Sequence, residues 1–278
     1  MKKILGTLFG IAGGVLVASA AVAFTPPNDY TPGSGINGTP HDLGTAHHGM
    51  NYTASPSDAP LNRICIFCHA PHNTYRLIDS PDGAVGPVVP DSTFDYLPLW
   101  NHTLQSDWVY TMYDNGSGAP TFGPQASQAR MLELMSTPGS VSLLCLSCHD
   151  GSVAVNSYGN DDQRSGSKST ATNTIVSSYA IGAAKYLGNH HPISFNYDAV
   201  QAVDNVAIRS ADDYNLTPTS SVREHLYGPA GGSLECATCH SVHNTGNGGE
   251  ALLWRSDQNS ELCLTCHNKG FYTPPVGP

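Results

Sequence analysis

Apolar positions in this chain form one long run and many short ones. The run comes first: Lys2 and Lys3 precede an apolar segment over 4–17, which ends in the small residues Ala21-Val22-Ala23. Positive, apolar and small-residue regions in that order read as a cleavable export signal over 1–23, with an uncleaved anchor as the alternative. Beyond it no stretch approaches the roughly 20 apolar residues of a membrane span. Positions 127–135 carry the spacing of a short amphipathic helix, which puts Met131 and Met135 into packing. Positions 189–197 read as a short strand. The Pro- and Asp-rich stretch 81–98 and the Ser-, Thr- and Gly-rich stretch 156–178 read as loops. The pattern predicts a mostly irregular chain with a few short helices, folded as one domain over 24–278.

Composition sharpens this picture. Only 12% of the 278 residues are charged, while Gly and Pro number 28 and 20, so long charged helices and a helical bundle are excluded. A net charge of −10 with only 12 Lys and Arg argues against general nucleic-acid binding. With 40% hydrophobic residues and so many helix breakers, an ordinary core is thin, and something else must fill the interior. No dinucleotide loop, phosphate-binding loop or hydrolase triad context is present.

The eight cysteines supply the missing material. They read Cys65-Ile-Phe-Cys68-His69, Cys145-Leu-Ser-Cys148-His149, Cys236-Ala-Thr-Cys239-His240 and Cys263-Leu-Thr-Cys266-His267, with none left over. C-x-x-C-H is the attachment signature of c-type haem. On a short helix, positions i, i+3 and i+4 share a face. Two sulfurs there can bond the porphyrin edge as thioethers while the following imidazole ligates iron. A redox dithiol, or a Cys₄ zinc ribbon from Cys236, Cys239, Cys263 and Cys266, is the alternative. Neither explains four following histidines. Four covalent haem c groups are therefore expected, with His69, His149, His240 and His267 as proximal ligands. The last two motifs form a close pair.

Nine further histidines exceed the four needed to make every iron six-coordinate. His72 and His243 each follow a proximal histidine by three residues. They lie on its side of the backbone and cannot reach the opposite face of the same porphyrin. As ligands they must serve another haem, either clamping two haems together or joining two chains. His191 precedes a proline that favours an extended backbone, His102 follows Trp100, and His41 precedes Asp42, a possible imidazole orienter. His47, His48, His190 and His225 read as surface residues. Met50, Met112, Met131 and Met135 are the alternative ligands. Bis-imidazole iron carries electrons at low potential and leaves no open position for substrate. An oxyanion reductase needs one five-coordinate haem.

The stretches around His41, Cys65 to His72, Pro-Leu-Trp-Asn-His102, Cys145 to His149, His191-Pro-Ile-Ser-Phe, Cys236 to His243 and Cys263 to His267 resemble the tetrahaem outer-surface cytochromes of metal-reducing bacteria. The resemblance covers about residues 36 to 270. It implies a coil-rich multihaem cytochrome wrapped around a chain of four haems, exported to the cell surface or the periplasm. It implies an electron carrier rather than an enzyme. Its partners would be upstream periplasmic or outer-membrane cytochromes and extracellular acceptors. It also implies distal ligands among His41, His72, His102, His191 and His243, five for four irons. Some members polymerise through an axial histidine from the neighbouring subunit, which makes His72 the candidate for that role and a homopolymer the expected assembly.

Overall fold

The computed structural model describes residues 33–43, 64–72, 74–78, 87–90, 92–105, 107–113, 126–135, 137–159, 174–175, 179–228, 232–245 and 252–269. The export signal over 1–23, His47, His48, Met50 and most of 156–178 lie outside them.

Regular structure among the described residues is sparse and short. Strands β1 (Arg76–Leu77) and β2 (Val88–Val89) pair in parallel. Helix α1 (Ala126–Leu134) coincides with the expected amphipathic segment, and Met131 is buried from it. Helix α2 (Ser140–His149) buries seven of its ten residues, so it reads as apolar nearly all round. Strand β3 (Phe195–Asn196) is all that forms of the strand expected over 189–197. Asn196 ends it by capping α3 (Tyr197–Val203), its side-chain oxygen accepting from Ala199 N at 2.8 Å. Strands β4 (Asn215–Thr217) and β5 (Ser220–Ser221) make an irregular hairpin, and β6 (Ser233–Leu234) pairs antiparallel with β3. Helices α4 (Cys236–Cys239) and α5 (Glu261–Cys266) carry the last two cysteine motifs.

Two apolar clusters hold these pieces. One gathers Met131, Tyr197, Val200, Leu216, Val222 and Leu234 around α3 and β6. The other gathers Phe94, Trp100, Tyr110, Leu143, Leu146 and Leu187 around α2. Beside Tyr110 of the second cluster, the buried Asp150 accepts from Tyr110 Oη at 2.9 Å and pairs with Lys185 at 2.5 Å. Among the described residues no helix is long and apolar enough to cross a membrane.

Candidate haem-binding sites

Three of the four motifs share one backbone clasp. In each, the helical turn ends at the second cysteine or, in the first motif, at Phe67 just before it, and the histidine N–H donates to the first cysteine's carbonyl: His69 to Cys65 at 2.8 Å, His240 to Cys236 at 3.1 Å, His267 to Cys263 at 2.9 Å. The chain then straightens, with φ/ψ of −96°/124° at His240 and −98°/126° at His267. The straightened residue forms an antiparallel bridge: His69 with Trp100, His240 with Leu253, His267 with Ile208. Two hydrogen bonds flank every bridge. Asn101, Trp254 and Arg209 donate to the carbonyls of Cys68, Cys239 and Cys266 at 2.7, 3.0 and 2.8 Å. Ala70, Ser241 and Asn268 donate to those of Leu99, Leu252 and Ala207 at 3.1, 3.0 and 2.8 Å. In the first and third clasps the equivalent leucines, Leu99 and Leu252, both sit at left-handed φ, 54° and 57°. That conformation costs a non-glycine residue about 1–3 kcal/mol, so the surrounding bonds impose it. The second motif differs: α2 runs straight through His149, whose carbonyl accepts from Gly182.

Backbone carbonyls aim the imidazoles. Nδ1 of His69 donates to Pro98 O at 2.6 Å, Nδ1 of His149 to Tyr179 O at 2.9 Å, and Nδ1 of His240 to Leu252 O at 3.3 Å. His191 Nδ1 donates to Pro192 O at 2.8 Å, and His41 Nδ1 makes a longer contact with Val242 O, 3.5 Å. Each bond leaves Nε2 available to a metal. Burial, aided by His149, lowers the His41 pKa to about 4. Burial likewise lowers those of His149, His240, His243 and His267. Their rings are neutral at pH 7, the form that ligates metals.

Ring positions bring six of these histidines together in pairs. His69 and His243 lie 6.2 Å apart between ring centres, His41 and His149 6.1 Å, and His191 and His267 6.3 Å. Two imidazole–metal bonds of about 2 Å, plus about 1 Å from each bonded nitrogen to its ring centre, require a separation of about 6 Å. Both ring planes contain the ligation axis, so the spacing holds at any interplanar angle, and the observed angles are 33°, 66° and 70°. None of these three described pairs includes His240.

The remaining histidines have other surroundings. His102 is fully buried, its Nδ1 2.9 Å from Thr103 O and its Nε2 3.1 Å from Ala154 O and 3.3 Å from Cys148 Sγ. Its ring neighbour is Trp100, not an imidazole. Burial lowers its pKa to about 4. His225, expected at the surface, is buried, hydrogen-bonded to Ser220 Oγ at 2.8 Å and packed on Trp254 at 4.5 Å. His72 is exposed and His190 half-buried. Met112, Met131 and Met135 pack in the apolar clusters.

Thiols of successive motifs are neighbours. Cys148 is close enough to Cys68 for the charge of one to raise the pKa of the other, and Cys239 stands likewise to Cys266. Cys145 and Cys236 share a hydrogen bond, which raises the first and lowers the second. Burial pushes Cys68 up to about 11 and Cys239 to about 12.

The surroundings fit haem c. Leu99, Tyr179 and Val242 are exposed apolar residues, each at or beside a carbonyl that orients one of these imidazoles. A porphyrin face is the kind of surface that covers them. Trp100 Nε1 and Arg76 Nε are buried donors with no partner among the described residues, and both lie by the first motif. A buried donor left unpaired costs about 1–3 kcal/mol, and a haem carboxylate is an acceptor of the right charge.

Residues 228–271 match the family described as the doubled CXXCH motif. The match spans the third and fourth motifs, from α4 through α5. It marks this segment as a multihaem c-type cytochrome motif that binds haem c covalently. The search of curated proteins returns no match. The cysteines are legible in the sequence but the clasp is not, since its facing segments share no common residue pattern: Leu99-Trp100-Asn101, Leu252-Leu253-Trp254 and Ala207-Ile208-Arg209.

Proposed function

We propose that the chain is an electron carrier with four covalent haem c groups, each iron held by two imidazoles. The three histidine pairs near 6.2 Å carry this reading together with the carbonyls that hold Nδ1 of His69, His149 and His191, because that spacing and that orientation suit two imidazoles on one metal. His69 with His243, His149 with His41, and His267 with His191 then serve the first, second and fourth irons. His102 is the surplus histidine. When bound, haem c supplies a one-electron iron couple, and two imidazoles hold its potential low. The protein's own task is to orient Nε2 through the carbonyls at Nδ1, to exclude water with Trp100, Val242 and Tyr179, and to hold neighbouring motifs edge to edge.

The third iron leads to assembly. The first and third motifs share the clasp, and both read His-x-x-His-Asn. His72 therefore occupies in the first unit the place of His243 in the third. His243 reaches the first unit's His69, and His240 is in none of the described pairs. The equivalent meeting, His72 with His240, is assigned to a neighbouring copy. Such a head-to-tail contact does not pair off: it propagates into a filament unless the rotation between copies closes a ring. This favours an exported surface filament that delivers electrons to outside acceptors over a soluble periplasmic shuttle. In the test, His72→Ala keeps four haems by pyridine haemochrome but gives one high-spin iron and, by light scattering, no polymer. Filaments of His72→Ala with unchanged spectra refute the assignment, and a wild-type monomer with four low-spin irons refutes the filament.

The position of His240 also favours a second reading, an oxyanion reductase with the third iron open. High-spin signal in the assembled wild type, with a spectral shift on adding nitrite or cyanide, selects it.

A further inference from the structure

Glu235 immediately precedes the third motif, yet its residue is only 3% exposed. Its carboxylate joins three haem-bearing segments. It accepts from Ser142 Oγ on α2, three residues before Cys145, and from Ser194 Oγ at 2.8 Å, three residues after His191. It also closes the capping box of α4, accepting from Thr238 N while Glu235 N donates to Thr238 Oγ1 at 2.9 Å. Ser142 Oγ in turn accepts from Cys236 N at 3.1 Å, and the Cys236 thiol touches that of Cys145. The carboxylate thus sits where the second and third motifs meet. Room for it is built in: a Cβ on Gly139 would stand 2.3 Å from Glu235 Oε1.

No cation pairs with this carboxylate among the described contacts. The ionisable groups that face it are Asp95, through Ser140 on α2, and Cys236 on its own segment. Both add negative charge, and once haem is attached the cysteine no longer titrates. A buried carboxylate without a cation favours its neutral form whenever nearby positive charge is lost. Reduction of an iron removes one positive charge. Burial, opposed by the two serines and aided by Asp95, raises the Glu235 pKa to about 7, where such a loss changes its occupancy.

We propose that Glu235 is a redox-linked proton-binding site, which takes up a proton when the second or third haem is reduced and releases it on oxidation. This rests on the electron-carrier reading. The electron comes from the redox partner and reduces ferric to ferrous iron. The proton comes from water through the half-buried Ser194 hydroxyl and converts carboxylate to carboxylic acid. Charge where the second and third motifs meet is then conserved through each transfer.

The experiment is spectroelectrochemical titration of the four-haem protein between pH 5.5 and pH 8.5, with redox-difference infrared spectra (pH limits of about one and a half units either side of the site). In wild type at least one midpoint potential falls as pH rises, by no more than about 59 mV for each tenfold drop in proton concentration. A carboxylic-acid band appears on reduction. In Glu235→Gln that pH dependence and the band are lost, with four haems and the visible spectrum retained. An unchanged slope and band in Glu235→Gln overturn the proposal and leave electron transfer standing. A wild type without haem overturns the carrier reading itself. If Glu235→Gln fails to mature, Ser194→Ala serves: loss of a donor to the ionised form moves the pH midpoint upward, and an unmoved midpoint overturns the proposal.

Discussion

Replacement of His102 by leucine separates a buried structural histidine from an iron ligand. The ring is fully buried and faces the carbonyls of Thr103 and Ala154 at 2.9 and 3.1 Å. With its pKa lowered to about 4, it is neutral at pH 7 and donates from one nitrogen only. Leucine removes that hydrogen bond, worth about 1 kcal/mol, and leaves a buried carbonyl short of a donor, at about 1–3 kcal/mol. Extra apolar packing offsets part of this, so a net loss of about 2 kcal/mol is expected. With a urea slope of about 2 kcal/mol/M, the unfolding midpoint falls by about 1 M. Circular dichroism in urea measures it. Haem content and the low-spin electron paramagnetic resonance spectrum stay as in wild type, because no imidazole among the described residues faces this ring. A high-spin iron in His102→Leu would refute the reasoning and make His102 a ligand.

Other outcomes follow from the same geometry. His243→Ala removes a ring 6.2 Å from His69 and is expected to turn one iron high-spin without loss of covalent haem, read by pyridine haemochrome and paramagnetic resonance. Gly139→Ala drives a methyl into Glu235 Oε1 and should cost about 1–3 kcal/mol in urea unfolding, an effect relieved in the Glu235→Ala background. Stability should also depend on pH through Glu235, whose folded pKa is raised from 4.5 to about 7. A raised carboxyl pKa means the folded state holds the proton more tightly. Its contribution is therefore full below pH 4.5 and is lost as pH rises through 7. Glu235→Gln should flatten that part of the unfolding profile, and an unaltered profile counts against the buried-carboxyl account.

How much was legible in the residues alone depends on how local each feature is. Cys65 to His69 and its three counterparts are contiguous, since attachment at two sulfurs and one imidazole must be made within one helical turn. Sequence therefore determines where each candidate haem anchor lies. It also determines the scarcity of regular structure, because 28 Gly and 20 Pro interrupt every long helix. The helix over Ala126–Leu134 was visible in its apolar spacing, whereas the strand near His191 shrank to Phe195–Asn196 because Ser194 before it takes a left-handed φ and Asn196 caps the next helix. Tertiary structure alone decided which imidazoles meet. His243 lies beside His69, and His41 beside His149, across chain separations that no local pattern spans. His102 and His225 are spaced in sequence much like the others, yet one faces carbonyls and the other Ser220 and Trp254. The shared clasp was equally invisible, because backbone hydrogen bonds do not depend on which side chains face the histidine. In the chain Glu235 is only the residue before Cys236, and folding alone buries it against α2. Covalent attachment is a property of neighbours in the chain, while ligation, burial and charge are properties of neighbours in space.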